Sequence, residues 1–336
     1  MNTLQTDAIG GYFSLETGLT NQMLYPNAQH FSSARSAFYA LLKTGRPSAI
    51  WMPRWICNAM LSPAQTLGIP VRFYSLNNAP ELSEDIQPQC GEWLLAVNYF
   101  GLGDSMVPQL VARFSPQQIV WDHSQAFFSP PQSCLATIYS PRKFFGVPDG
   151  GMLVGSIKVD VPEENADSSL QRTSHLLLRL ARNAEAGYEA YQQAESTLEK
   201  LPGAGMSTLT HRLLAGIDYQ SCEQRRLENY CYLYRRLAGI NQLNLPARPT
   251  SGPLCYPLLL KDESLRDTLR QCRIFVPVYW RDALERAITG TVEHHFIKYL
   301  LPLPVDHRYG INEMKYLADT VFAHISLDGK VCNEKN

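Results

Sequence analysis

Over its first half the chain alternates short apolar runs with segments of helical periodicity. The runs "SAIWMP", "IPVRFYSL", "EWLLAVNYFG", "QQIVWDHSQAFF" and "LATIYS" have strand length, and "GMLVGSIKV" follows Gly150-Gly151. "QQIVWDHSQAFF" is expected to leave its strand at Asp122. Among the helical segments, "SSARSAFYALLKTG" has Ser32 or Ser33 to cap its start. Its Ala37, Phe38, Leu41 and Leu42 share one face, and Gly45 lies just past its end. "ICNAMLSPAQTLG" predicts a helix broken near Pro63, and "SMVPQLVARF" predicts another. Residues 1–31, punctuated by Gly10-Gly11 and Pro26, read as irregular. Alternation of this kind predicts an α/β fold, a mostly parallel sheet with helices on its faces.

The pattern changes after residue 160. Residues 170–200 predict a long charged helix, and Ser207 to Leu237 a second, with Leu227, Tyr230, Tyr234 and Leu237 at helical spacing. "LNLPARPTSGP" reads as a hinge. The expected division is a large domain over residues 1–240 and a small C-terminal α+β domain over 241–336.

With 336 residues, 45% of them hydrophobic, the composition is that of an ordinary globular protein. A formal net charge of −1 gives no electrostatic reason to expect nucleic acid or an anionic membrane as partner. No apolar run approaches the ~20 residues that span a bilayer. "MNTLQTDAIGGYFSLE" lacks a basic segment followed by an apolar one, so no signal peptide is expected. The eight cysteines stand singly, without metal-ligand spacing, and read as reduced thiols of a cytoplasmic protein. His211 and the His294-His295 pair have no carboxylate or cysteine at ligand spacing, so no metal is expected.

Chemistry in an open α/β sheet collects at the carboxyl ends of its strands. Asp122 ends "IVWD", Gln125 follows three residues on, and Ser140 and Lys143 end "ATIYSPRK". Lysine is scarce here, and Lys143 alone sits among aromatic, proline and glycine residues at a strand junction. An acid and a lysine at neighbouring strand ends suit pyridoxal phosphate. That cofactor needs an amine for its aldehyde, a carboxylate against its ring nitrogen, and hydroxyl and amide donors for its phosphate. The helix start at "SSARSA" is a natural phosphate site, and Arg35 could add a charged contact. Plainer readings stand beside these. Asp122 could cap a helix, Gly150-Gly151 could be a tight turn and nothing more, and "VYWRD" at 278–282 could line an entrance or fill a core.

These residues resemble a known family, the PLP-dependent sugar aminotransferases of the DegT/StrS type, of fold type I. "VWDHSQAF" resembles the family's Asp-x-x-Gln motif, and "YSPRKFFGVPDGGMLV" its lysine segment. "FSSARSAFYALLK", "MPRWICNAMLSPAQTLGIPVRFYSL", "LLAVNYFG" and "LPLPVDHRYGINEMKYLADTVF" are similar to successive family segments. The resemblance implies that Lys143 forms the Schiff base and shuttles the proton, and that Asp122 pairs with the pyridine nitrogen. Gln125 would bond the phenolic oxygen, and Ser140, Ala34 and Arg35 would hold the phosphate. Asn98 would lie near the ring, on the substrate side. It further implies a homodimer with the site at its interface, an amino-acid donor (usually glutamate), and a keto sugar carried on a nucleotide. Two departures stand out. Cys57 occupies the place of the aromatic residue that stacks on the cofactor, and "LPGAG" stands where the family has an Asn-Tyr-Arg loop; Tyr12 is the candidate substitute. The same residues also suit a lyase, dehydratase or isomerase, and a non-catalytic relative with this fold is the rival from another class.

Overall fold

In this computed structural model, residues 15–18, 22–83 and 86–333 are described. Seven strands form the main sheet: β1 Gln29–Phe31, β2 Ala49–Pro53, β3 Val71–Tyr74, β4 Glu92–Val97, β5 Ile119–His123, β6 Ala136–Tyr139 and β7 Gly151–Gly155. Their spatial order is β1-β7-β6-β5-β4-β2-β3. Only β7 runs antiparallel to its neighbours; every other pair is parallel. β4, β5 and β6 are buried along their whole length, which is why their sequence is a continuous apolar run without alternation.

The helices between the strands are α1 Ala34–Gly45, α2 Asn58–Thr66 and α3 Val107–Arg113. Ser33 caps α1, its hydroxyl accepting the Ser36 N–H at 3.1 Å. Gly45 falls inside α1, and Arg46 takes the left-handed position instead. A Cβ on Gly45 would stand 2.1 Å from the Trp93 ring, so this glycine serves packing. Pro63 lies within α2, buried, and does not end it.

Three further expectations need correction. β1 lies within the stretch read as irregular; three residues are too few for periodicity to reveal, and pairing with β7 defines them. Residues 170–200 form three helices, α4 Ala166–Arg172, α5 Ser174–Ala181 and α6 Tyr188–Thr197. An Asn183 side chain accepting the Ala186 N–H shapes the break between the last two. The 207–237 stretch is α7 Thr208–Ala215 and α8 Tyr219–Leu237, divided at Gly216 with Asp218 capping α8.

The remainder comprises β8 Cys255–Leu259, α9 Leu265–Gln271, α10 Val292–Tyr299, β9 Leu300–Pro304 and α11 Ile311–Asn333. β8 and β9 pair antiparallel and share a core with α8, α9 and α11. No helix among the described residues is long and apolar enough to cross a membrane.

Candidate active site

The sheet topology brings the predicted residues to one edge. α1 follows β1 and α2 follows β2, so both helices begin at the carboxyl edge. Asp122 stands opposite Ile138 in the parallel β5–β6 ladder, so both side chains project from one face, and Ser140 lies two residues on, just beyond β6. Val120 and Ile138 pack in the same core as α1 and α2, which identifies that face. His123 and Tyr139 point the other way, their rings edge to face at 5.3 Å. Lys143 closes a short turn from Ser140, its N–H bonded to the Ser140 carbonyl at 3.2 Å, and its side chain is exposed.

Asp122 is 4% exposed, and its Oδ1 accepts the Ser124 N–H at 2.8 Å. Gln125 is 1% exposed. Its Oε1 accepts the Phe100 N–H at 3.0 Å, which fixes the amide's orientation, and its Nε2 is buried without a partner. Phe100 is held at φ +61°, and its carbonyl accepts the Leu254 N–H at 2.8 Å. Strain of this kind costs of order 1 kcal/mol and gathers at sites where it is held from several sides.

Cys57 ends the extended stretch before α2 and is half-buried. Burial pushes its thiol pKa up, while the charge of Lys143 opposes and that of Asp122 reinforces the shift. Those two side chains therefore both lie within electrostatic reach of Cys57. Burial likewise raises the Tyr74 phenol, with Asp122 adding to the effect. Trp55 is fully buried and stacks on Tyr99 at 4.9 Å, within the aromatic core.

Gly150 and Gly151 do more than turn the chain. The Gly150 N–H bonds the Ser32 carbonyl at 2.7 Å, and a Cβ on Gly151 would stand 2.1 Å from the Ser33 carbonyl carbon. The lysine segment is thereby pressed against the start of α1, where the first turn presents more N–H groups than Ser33 can cap. Ala34 and Arg35 lie in that turn, but the Arg35 guanidinium donates away from it, to the Leu198 carbonyl at 3.1 Å. Asn98 is fully buried and engaged: its Nδ2 donates to Asp104 at 2.7 Å and its Oδ1 accepts the Gly103 N–H at 2.8 Å. Tyr12 lies outside the described residues. The "LPGAG" loop folds back on its own α1, with the Ala204 N–H bonded to the Ser32 hydroxyl.

Sequence reasoning missed Arg226 on α8. It is buried at 1% exposure, donates to the Phe144 carbonyl at 3.2 Å and to the Pro253 carbonyl at 3.1 Å, and lies 4.6 Å over the Phe144 ring. Burial lowers its pKa to about 10. It ties the residue after Lys143 to the segment that leads into β8. One of four arginines on α8, it gives no sequence signal of this.

No family model matches the sequence, and no curated protein does. Solved structures do match. Spr1654 from Streptococcus pneumoniae, solved in apo, PLP and PMP forms, aligns in its apo form with a TM-score of 0.64 at 15% identity, over 94% of this chain and 89% of that one. DesV of S. venezuelae, solved with a ketimine intermediate, aligns at 0.61 and 16% identity, covering 88% and 83%. The sugar aminotransferase CalS13 of Micromonospora echinospora aligns at 0.57 and 14%, covering 88% and 87%. The chain has the fold of these proteins, the fold-type-I architecture expected from its sequence.

Proposed function

We propose that this chain is a PLP-dependent aminotransferase that moves an amino group from an amino acid, glutamate in the first instance, to a keto sugar carried on a nucleotide. One observation carries the reading. A buried carboxylate (Asp122), a buried amide donor without a partner (Gln125 Nε2) and a lysine (Lys143) gather at one sheet edge, beside the start of α1. The structural neighbours include sugar aminotransferases, which supports the substrate class by analogy.

The orphaned Gln125 donor is what the cofactor's phenolic oxygen requires, so the donor set fits the group. Bound pyridoxal phosphate would supply an electron sink for the carbon that loses its proton. Asp122 would keep the ring nitrogen protonated, and Gln125 Nε2 would orient the ring through its oxygen. Ser140 and the first-turn N–H groups of Ala34 and Arg35 would hold the phosphate. Cys57 would cover the ring as a small apolar group. The Lys143 amine would hold the cofactor's aldehyde carbon and then carry the proton to and from the substrate carbon. On this reading the chain acts as a homodimer, with a large domain to about residue 240.

The test is the absorption spectrum with added pyridoxal phosphate, wild type beside Lys143→Ala, before and after glutamate. The expected result is a band near ~420 nm that needs Lys143 and fades with glutamate. Turnover in the variant should fall roughly a thousandfold or more. No band in the wild type, or the same band in both proteins, sinks the reading. A Lys143-dependent band that no amino donor moves would shift the activity to a lyase or isomerase.

A further inference from the structure

Residues 280–293 reach across to the carboxyl ends of β2 and β3 and grip the chain there at several points. Asp282 Oδ2 accepts the Asn58 N–H at 2.5 Å. Arg286 donates to the Ile56 carbonyl and, at 2.8 Å, to Asn58 Oδ1. Glu293, 1% exposed, accepts the Leu76 N–H at 2.7 Å. Trp280, held at φ +56°, packs edge-on against Trp55 at 4.9 Å.

Between the gripped residues lies Cys57, the N-cap of α2, whose own side chain makes no capping hydrogen bond. Asp282 supplies from far along the chain an acceptor for the first N–H of α2, and its charge suits a helix start. A bulky aromatic residue would locate itself by its own packing. A thiol is too small to do so, and its backbone must be held from outside.

We propose that Asp282 and Arg286 are positioning residues: they fix the Ile56–Asn58 backbone and so set where Cys57 stands at the start of α2. The grip is a matter of geometry; its consequence for the cofactor rests on the function proposed above. Glu293 and Trp280 anchor the same segment independently, so loss of the two gripping side chains frees the 56–58 backbone without undocking the rest.

The experiment is alkylation of the cofactor-free protein with iodoacetamide, read by peptide mass spectrometry at Cys57 and, as a control, at Cys255, which is buried in β8. In an Asp282→Ala, Arg286→Met double variant, Cys57 should react about tenfold faster or more, because a freed thiol regains solvent and thiolate character. Cys255 should not change. Asp282→Asn keeps an acceptor for the Asn58 N–H and should react at close to the wild-type rate. An unchanged Cys57 rate overturns the proposal, and so does a parallel rise at Cys255, which would mean general loosening. Added pyridoxal phosphate should slow alkylation of Cys57 in the wild type. If it does not, while the variants behave as stated, the cofactor reading fails and the grip stands.

Discussion

Asn229 on α8 and Gln125 beyond β5 are both buried side-chain amides, and the molecule uses them in opposite ways. The two hydrogens of Asn229 Nδ2 are shared among three carbonyls, of Val305, Asp306 and Tyr309, at 3.0–3.3 Å. It stitches α8 to the turn after β9, and neither of its N–H groups is left over. Gln125 is just as buried but spends its oxygen on Phe100 and leaves its Nε2 open. An unpaired buried donor costs about 1–3 kcal/mol. Asn98, just past β4, follows the Asn229 pattern. Burial alone does not distinguish these two amides, whereas completeness of hydrogen bonding does.

Breaking the two amides should therefore have opposite signatures. Asn229→Leu takes the donor from the Val305 and Tyr309 carbonyls, while the Asp306 carbonyl keeps the Tyr309 N–H, and should cost about 4 kcal/mol of stability, the largest single loss expected here. Gln125→Met strands one N–H and should cost about 1–2 kcal/mol, yet weaken pyridoxal phosphate binding roughly tenfold. Urea unfolding and a cofactor titration of each variant decide it. A Gln125 variant as unstable as the Asn229 variant, with cofactor affinity intact, would make Gln125 a scaffold residue and remove the distinction.

His123 sharpens the same comparison from the far face of β5. It is fully buried, and neither ring nitrogen has a hydrogen bond of good geometry, the Ser129 backbone giving only partial relief. It is incomplete yet turned away from the site. Burial lowers its pKa to about 4, against an ordinary value of 6.5. The folded state thus holds His123 neutral while the unfolded chain takes up a proton. Its contribution is fully present above pH 6.5 and is lost as pH falls from 6.5 towards 4. The loss should reach about 3 kcal/mol. His123→Phe should be close to wild type near neutrality and should flatten the acid side of the stability profile by one proton. A variant with the wild-type acid slope would show that the imidazole is not held neutral by its burial.

Local signals made most of the sheet legible. Strands buried on both sides leave unbroken apolar runs, so β4, β5 and β6 could be read directly, and the order of Asp122, Gln125 and Lys143 pointed to one edge. What could not be read was decided by individual contacts, some distant in sequence and some local, that periodicity does not register. β1 is a strand only because β7 pairs with it. The long helical stretches break where Asn183 and Asp218 find backbone N–H groups, a detail that periodicity averages away. Asp282 and Arg286 act on residues more than two hundred positions earlier. No spacing rule reaches that far.

The last prediction concerns the glycine pair, which the sequence could assign only to a turn. Gly150 sits at φ +136°, a conformation an L residue takes at a cost, so substitution there mixes backbone strain with packing. Gly151 is the cleaner probe, because its backbone is not in the left-handed region and only space forbids a side chain. A Cβ there would lie 2.1 Å from the Ser33 carbonyl carbon and 2.4 Å from the Ala34 nitrogen, and backbone on both sides leaves no flexible tip to move aside. Gly151→Ala must therefore push β7 and the start of α1 apart, at a cost of about 2 kcal/mol. The same shift would spread the first-turn N–H groups from Ser140 and lower phosphate affinity, measurable as weaker competition by inorganic phosphate against pyridoxal phosphate. A stability loss without any change in that competition would confine the Gly151 contact to packing and remove α1 from the proposed phosphate site.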